Sequence, residues 1–263
     1  IPKNTPSSVV TGVVADAFFK HYDLTKSKSS LKILEGINHF FNSEIKHFRT
    51  KKSLLCFSYT PIDDFKVHNA SLFTAAFFAK YGSLAGDDDL KKKSIDAARF
   101  TINEQQTDGS FYYWSGEKDS VVDHFHTGYV LRHLHTIYRE TNEEWINNHI
   151  ELGLKYYIEN LFDEFQIPMY TNKLTFPKDT HAFTEALLCL NQLRSNKYSI
   201  ENNVKIDNIL KSCTDYLIDE MQTDKGYFIW QVNNKNNKVD IAYMRWSQSW
   251  VLFSFAKILN SKK

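Results

Sequence analysis

Five times along the chain a turn of polar, aromatic or His residues runs straight into an apolar, small-residue helical pattern, and this recurrence constrains the fold more than any other feature. The five turns are Thr5-Pro6-Ser7-Ser8, Val67-His68-Asn69-Ala70, Asp123-His124-Phe125-His126-Thr127-Gly128, Asp179-Thr180-His181-Ala182 and Met244-Arg245-Trp246. They are spaced by roughly 55 to 65 residues, the period of a helix-hairpin array rather than of a compact bundle. Such a repeat puts the chemically unusual residues at one address, the N-terminal end of every second helix. If those helices form an inner ring, their polar side chains converge on one mouth.

Periodicity predicts helices almost throughout. Inner helices are expected over Val9–Tyr22, Ala70–Tyr81, His126–Arg139, His181–Arg194 and Trp246–Leu259, and amphipathic outer ones over Leu31–Ile45, Asp88–Gln105, Glu143–Leu161 and Lys205–Met221. Connections repeat as well: Gln106-Thr107-Asp108-Gly109-Ser110-Phe111-Tyr112 is echoed by Gln222-Thr223-Asp224-Lys225-Gly226-Tyr227-Phe228, each an Asp/Gly turn followed by an aromatic run long enough for short strands. The expected class is therefore all-α, an α/α toroid of helical hairpins with short β-hairpins in the long loops, and 1–263 is read as a single domain. Five inner and four outer helices fall short of a six-hairpin ring. The expectation is an incomplete barrel, gapped near the helix that starts at Val9 or completed there by another segment or chain.

Composition excludes several classes. The net charge is +1 with 24% charged residues and no basic stripe, which argues against nucleic acid as a partner. No stretch reaches the 18 or so apolar residues of a membrane span. The cysteines Cys56, Cys189 and Cys213 lack metal-ligand spacing, so the default location is a reducing, cytoplasmic compartment. Phosphate-loop, dinucleotide and nucleophile-elbow patterns are absent, and no cofactor is expected.

The outer helix, the Asp/Gly–aromatic turn and the polar-headed inner helix together resemble the α/α-toroid layout of the terpenoid cyclase and protein prenyltransferase superfamily. More closely, Phe57-Ser58-Tyr59-Thr60-Pro61, Val67-His68-Asn69-Ala70, Asp123–Tyr129 and Tyr243-Met244-Arg245-Trp246-Ser247-Gln248 are similar to motifs of a bacterial toroid family associated with surface-polysaccharide biosynthesis. The resemblance covers nearly the whole chain. It implies an α/α toroid and a polysaccharide context, without fixing a reaction. In similar proteins the Ile1-Pro2-Lys3-Asn4-Thr5-Pro6 stretch follows a further helical segment, so the chain is expected to be a fragment.

The candidate catalytic residues are Asp123, His126, His181 and Tyr129. A carboxylate and imidazoles at a helix start can supply a general acid and base, although Asp123 and Asp179 can equally serve as helix caps. Candidate substrate-binding residues are His68, Asn69, Asp179, Arg245, Trp246, Tyr59 and Trp114. Arg245 at a helix N-terminus opposes the helix dipole and requires an anion, either a bound carboxylate or Asp123 or Asp179. Tyr112, Tyr113, Trp114 and Trp230 offer stacking faces, and Tyr59 and Tyr129 serve either the core or the site. A zinc site from His68, His126 and His181 matches a known ligand count but has no local anchoring pair. His133 and His135 fall on different helix faces.

Taken with the polysaccharide context that the resemblance implies, these residues suggest a carbohydrate-active protein whose partner is an oligosaccharide or polysaccharide with acidic or amino sugars. In a lyase- or epimerase-type route, Arg245 and Asn69 neutralise a carboxylate while His126 or Tyr129 moves a proton. In a hydrolase route, Asp123 and Asp179 are the paired carboxylates. A non-catalytic glycan-binding or assembly module would use the same mouth, and a terpenoid- or prenyl-handling toroid would need an apolar chamber instead.

Overall fold

The computed structural model describes residues 2–50, 54–118, 120–194 and 200–261. Nine α-helices and two π turns make these residues 62% helical, and strands among them are confined to small antiparallel sheets. The helices are α1 (Ser8–Thr25), α2 (Lys28–Ser43), α3 (His68–Ala85), α4 (Asp88–Ile102), α5 (His124–Thr141), α6 (Glu144–Asn160), α7 (Thr180–Leu193), α8 (Ile200–Tyr216) and α9 (Ser249–Ser261). Every expected helix is present, with its ends shifted by a few residues.

One boundary needs correcting. The helix expected from Trp246 begins as a π turn, Met244–Gln248, so Arg245 and Trp246 lie in that turn and α9 starts after it. The Gln248 side chain accepts from Phe228 N (3.0 Å) and donates to Phe228 O (2.7 Å), while the Gln248 and Ser247 amides both reach back to Tyr243 O. The side-chain anchor to a neighbouring loop accompanies the wider turn.

The chain divides into two compact units. The first comprises Ile1–Gln106, Tyr112–Lys118 and His133–Ile150; the second comprises Thr107–Phe111, Asp119–Arg132 and Glu151–Lys263.

In the first unit α1 packs on α2 and α3, and α3 packs on α4. Fourteen of the 18 residues of α3 are buried, as an inner helix requires. By contrast α1 buries only the stripe Ser8, Gly12, Ala15 and Phe19, and Val10, Val13 and Val14 remain exposed. Gly12 is demanded by close approach, because a Cβ there would lie 2.8 Å from the Phe73 ring. An aromatic cluster of Phe19, Phe41, Phe57, Phe77 and Phe78 fills the core, each ring worth about 1.5–3 kcal/mol when fully buried. The antiparallel pair β1 (His47–Thr50) and β2 (Leu54–Phe57) lies against α3 and α4 through β2.

In the second unit α7 packs on α8 and α9, and 12 of its 14 residues are buried. A small antiparallel sheet, β3 (Lys178–Asp179), β4 (Gln231–Val232) and β5 (Lys238–Val239), leads into it. Gly128 allows α5 to approach Glu185 of α7, whose Cγ would stand 2.7 Å from an added Cβ.

The repeat is visible in the backbone. The first amide of an inner helix donates to the carbonyl of a half-buried aromatic residue four times over: Ser8 to Tyr59 (2.9 Å), His68 to Tyr113 (3.3 Å), His124 to Tyr170 (3.3 Å) and Thr180 to Trp230 (3.0 Å). The loop turn also has a copy that its residues conceal. Thr223 N–Tyr227 O and Gly226 N–Thr223 O (both 2.8 Å) are matched by Asp163 N–Ile167 O (3.0 Å) and Gln166 N–Asp163 O (2.9 Å). Gln166 takes the left-handed φ of 61° that Gly226 takes at 85°.

Candidate functional site

In the second unit Asp123, His126, Tyr129 and Arg132 follow one another at intervals of three, which places them along one ridge of α5. His181 and Glu185, four apart, face them from α7. Asp123 combines the two roles weighed from the sequence. Its Oδ1 accepts the His126 amide (2.9 Å), a capping bond, and its Oδ2 lies 2.7 Å from His126 Nδ1. A carboxylate only accepts, so Nδ1 carries the proton and Nε2 is the basic nitrogen of neutral His126. Both side chains are about a quarter exposed, 23% for Asp123 and 26% for His126, so the pair is open to solvent.

Tyr129 Oη and His181 Nε2 are 2.6 Å apart and buried. Phe125, Trp250 and, farther off, Trp246 enclose the His181 ring with centroids at 5.0, 4.8 and 6.5 Å. Burial, reinforced by the nearby His126 and Arg132, pushes His181 down to about 3, so it is neutral at ordinary pH. Its Nδ1 is buried without a hydrogen-bond partner. Beneath, Arg132 grips Glu185 in a fork, Nε–Oε1 at 2.9 Å and Nη2–Oε2 at 3.1 Å, with the guanidinium 5.5 Å from the Tyr129 ring centre. Burial pushes the Glu185 carboxyl up against the pull of Arg132.

Asp179 is buried, and its carboxylate is occupied by the His181 amide (2.8 Å) and Gln231 Nε2 (2.6 Å). Burial raises its pKa. It is thus a cap, and its oxygens are already engaged. Arg245 is exposed over its neighbour Trp246, 5.3 Å from the ring centre, while Asp123 and Asp179 are held by other groups. His124, the first residue of α5, is wholly buried between Tyr157 and Phe162, and burial pushes it down to about 3.

The first unit places His68, Asn69, Tyr59 and Trp114 differently. His68 is buried at the first position of α3, its Nε2 3.3 Å from Glu104 and its Nδ1 3.4 Å from Thr101 Oγ1. Glu104 also accepts from Ser115 Oγ (2.6 Å) and Gly116 N (2.8 Å). Burial by itself would raise the Glu104 carboxyl, but the bonds from His68, Ser115 and Gly116 override it and hold the group at about 2. Asn69 is buried with its Oδ1 lacking a partner. Trp114 is partly exposed and edge-on to Phe65 and Tyr113. Tyr59 is half-buried and holds the start of α1 through its carbonyl.

The sequence reading missed Arg132, Glu185, Trp250 and Glu104. The first two carried a usable signal, since Arg132 continues the three-residue spacing of the α5 ridge and Glu185 sits one helical turn after His181. Among the described residues no group of three His, Cys, Asp or Glu side chains is placed to hold a metal ion. The trio weighed for zinc is engaged elsewhere: His68 with Glu104, His126 with Asp123, His181 with Tyr129. The cysteines are buried free thiols, and burial raises Cys56 to about 12.

In fold, the chain is an all-α protein of the α/α-toroid class. No family model matches it, and no curated protein matches it. Solved structures do. Cellobiose 2-epimerase from Bacillus thermoamylovorans is similar with a TM-score of 0.72 and 13% identity, over 97% of this chain and 75% of that one. A family 105 glycoside hydrolase of C. acetobutylicum is similar with a TM-score of 0.73 and 14% identity, over 95% and 71%. An unsaturated glucuronyl hydrolase responsible for glycosaminoglycan degradation, from Bacillus sp. GL1, has a TM-score of 0.68 and 12% identity, over 84% and 64%. At these identities the likeness is one of fold. No helix among the described residues is long and apolar enough to cross a membrane.

Proposed function

We propose that the protein is a carbohydrate-active enzyme doing acid–base chemistry of the epimerase or lyase type on a sugar, with the α5 ridge as its catalytic face. The observation that carries the reading is the pairing of two differently prepared groups on adjacent turns: His126, oriented by Asp123 and open to solvent, and Tyr129, bonded to a buried, neutral His181. His126 Nε2 takes the proton from a carbon next to a carbonyl or carboxylate. The electron pair of the broken C–H bond passes to the adjacent oxygen, which accepts a hydrogen bond from Tyr129. Return of a proton to the opposite face gives an epimer, and departure of a β-linked group gives a lyase product. Arg245, exposed beside Trp246, is suited to the carboxylate of a uronate, and Trp246 and Trp250 to the apolar face of a sugar ring.

The engaged oxygens of Asp179 disfavour the hydrolase pairing of Asp123 with Asp179. Fold neighbours that are a sugar epimerase and glycoside hydrolases support a saccharide substrate. The resemblance to a surface-polysaccharide family supports a place in polysaccharide metabolism. In the first unit, Asn69, Tyr59 and Trp114 are proposed as sugar contacts in their own right. The test is a turnover screen of neutral and uronate-bearing disaccharides with the wild type and His126→Ala. Turnover that disappears in the variant supports the reading. Binding without turnover by the wild type would favour a glycan-binding module instead.

A further inference from the structure

A cavity of about 590 Å³ lies in the second unit between the Asp163–Pro168 turn, the strand β3 and α8. Its lining includes Asp163, Glu164, Phe165, Phe176, Lys178 and Tyr216. Its size falls within the range of roughly 300–1,000 Å³ of small-molecule sites. Lys178 and Asp179 are successive residues of a strand, so their side chains leave opposite faces. Asp179 caps α7 next to His181, whereas Lys178 forms part of the cavity wall, away from the groups assigned to acid–base chemistry.

Two features give the cavity its chemistry. The first is Phe165, 70% exposed at the tip of the turn. The matching turn, Thr223–Tyr227, has Lys225 at that position, a residue that water solvates well. A large aromatic at an exposed tip gains little for stability, yet it presents a face for stacking. The second is Lys178, only 4% exposed. Its ammonium is paired with Asp163 Oδ2 (2.7 Å) and Pro168 O (3.0 Å), and lies 5.6 Å from the centre of the Phe176 ring. The cavity therefore combines aromatic faces from Phe165 and Phe176 with the charged lining of Lys178, Asp163 and Glu164.

We infer that this cavity is a glycan-binding subsite for a neutral pyranose unit, separate from the catalytic ridge. The inference rests on the reading of the protein as glycan-acting. A pyranose has an apolar C–H face for Phe165 and Phe176 and hydroxyls that both donate and accept, which matches the mixed lining. An acidic sugar fits less well, because Asp163 and Glu164 outnumber Lys178. The subsite would hold a longer chain while another part of it is processed.

The test is calorimetric titration of the turnover-deficient His126→Ala protein, and of the same protein carrying Phe165→Ala, with cellotetraose, mannotetraose and trigalacturonate. A neutral tetrasaccharide should bind and lose about tenfold in affinity on Phe165→Ala, with trigalacturonate affinity unchanged by it. Because Phe165 is exposed, the variant should fold, whereas Lys178→Met would strand Asp163. If short sugars are turned over but Phe165→Ala alters no neutral-sugar affinity, or if it weakens trigalacturonate instead, the subsite is refuted while the catalytic reading stands. If no sugar is bound or turned over, both fall.

Discussion

The starts of α3 and α5 occupy the same address in the repeat, each with a His as first residue whose amide donates to a loop Tyr carbonyl. Their chemistry differs. At α3, His68 is tied to a carboxylate that is itself saturated by Ser115 and Gly116, a closed network. At α5, the first residue, His124, is sealed between aromatics, and the exposed pair is made by Asp123 and His126, flanking it. The repeat therefore delivers polar residues to a fixed place, and the state of their hydrogen bonds separates a brace from a reactive group. A brace should respond in stability and a reactive group in rate.

The largest expected effect is on rate. Asn caps helices as well as Asp, so Asp123→Asn keeps the bond to the His126 amide and removes the charge that orients His126. Turnover should drop by about 10²–10⁴-fold while the melting temperature moves little. Equal losses of stability and rate would make Asp123 a brace like Glu104 and erase the contrast.

Next comes the Arg132–Glu185 fork. Arg132→Met strands a buried carboxyl and should cost about 3–5 kcal/mol, measured by denaturant unfolding. The loss should shrink when Glu185→Gln is added, as expected of a coupled pair.

Acid titration of stability separates the two helix starts. His124 and His181 are depressed to about 3 from an ordinary 6.5, so the unfolded chain binds more protons in that interval. Stability from this source is full above about 6.5 and is lost as pH falls towards about 3, at a slope of about 1.4 kcal/mol per pH unit for each group. His124→Phe should remove one group's share of that limb. Glu104, held at about 2 against an ordinary 4.5, stabilises above 4.5, and that contribution is lost as pH falls through about 2. Glu104→Gln should flatten this lower limb alone.

The smallest effect tests the concealed turn. Gln166→Gly, which relieves a left-handed φ, should stabilise by up to about 1 kcal/mol, whereas Gly226→Ala should destabilise by a similar amount.

How far the sequence led can be judged residue by residue. Helices were legible because their apolar periodicity is local, and α3 and α4 could be told apart as inner and outer by how much of the circumference was apolar. The Asp163–Ile167 turn was not legible, because Gln166 fills a place that glycine usually marks. Asp123 and His126 stood out as a dense cluster at a helix start. Glu104 did not, because it lies in the turn after α4 while its partners Ser115 and Gly116 come from a later loop and His68 from α3. Arg245 was expected to answer to an internal carboxylate. Which acceptor each carboxylate holds depends on distances between separate segments, and no spacing along the chain encodes those.

The central claim is that the Asp123-oriented His126 moves a carbon-bound proton of a sugar. It is tested most directly by incubating the protein with its turned-over sugar in D2O and following deuterium at the carbon beside the carbonyl or carboxylate by NMR. The account predicts that the wild type replaces that proton by deuterium in an epimer or loses it to a new C=C bond in a lyase product, that either change slows by about 10²-fold or more in Asp123→Asn and His126→Ala, and that Glu104→Gln alters it little. Product that keeps its original proton at that carbon, or proton loss unaffected by the removal of His126, would contradict it.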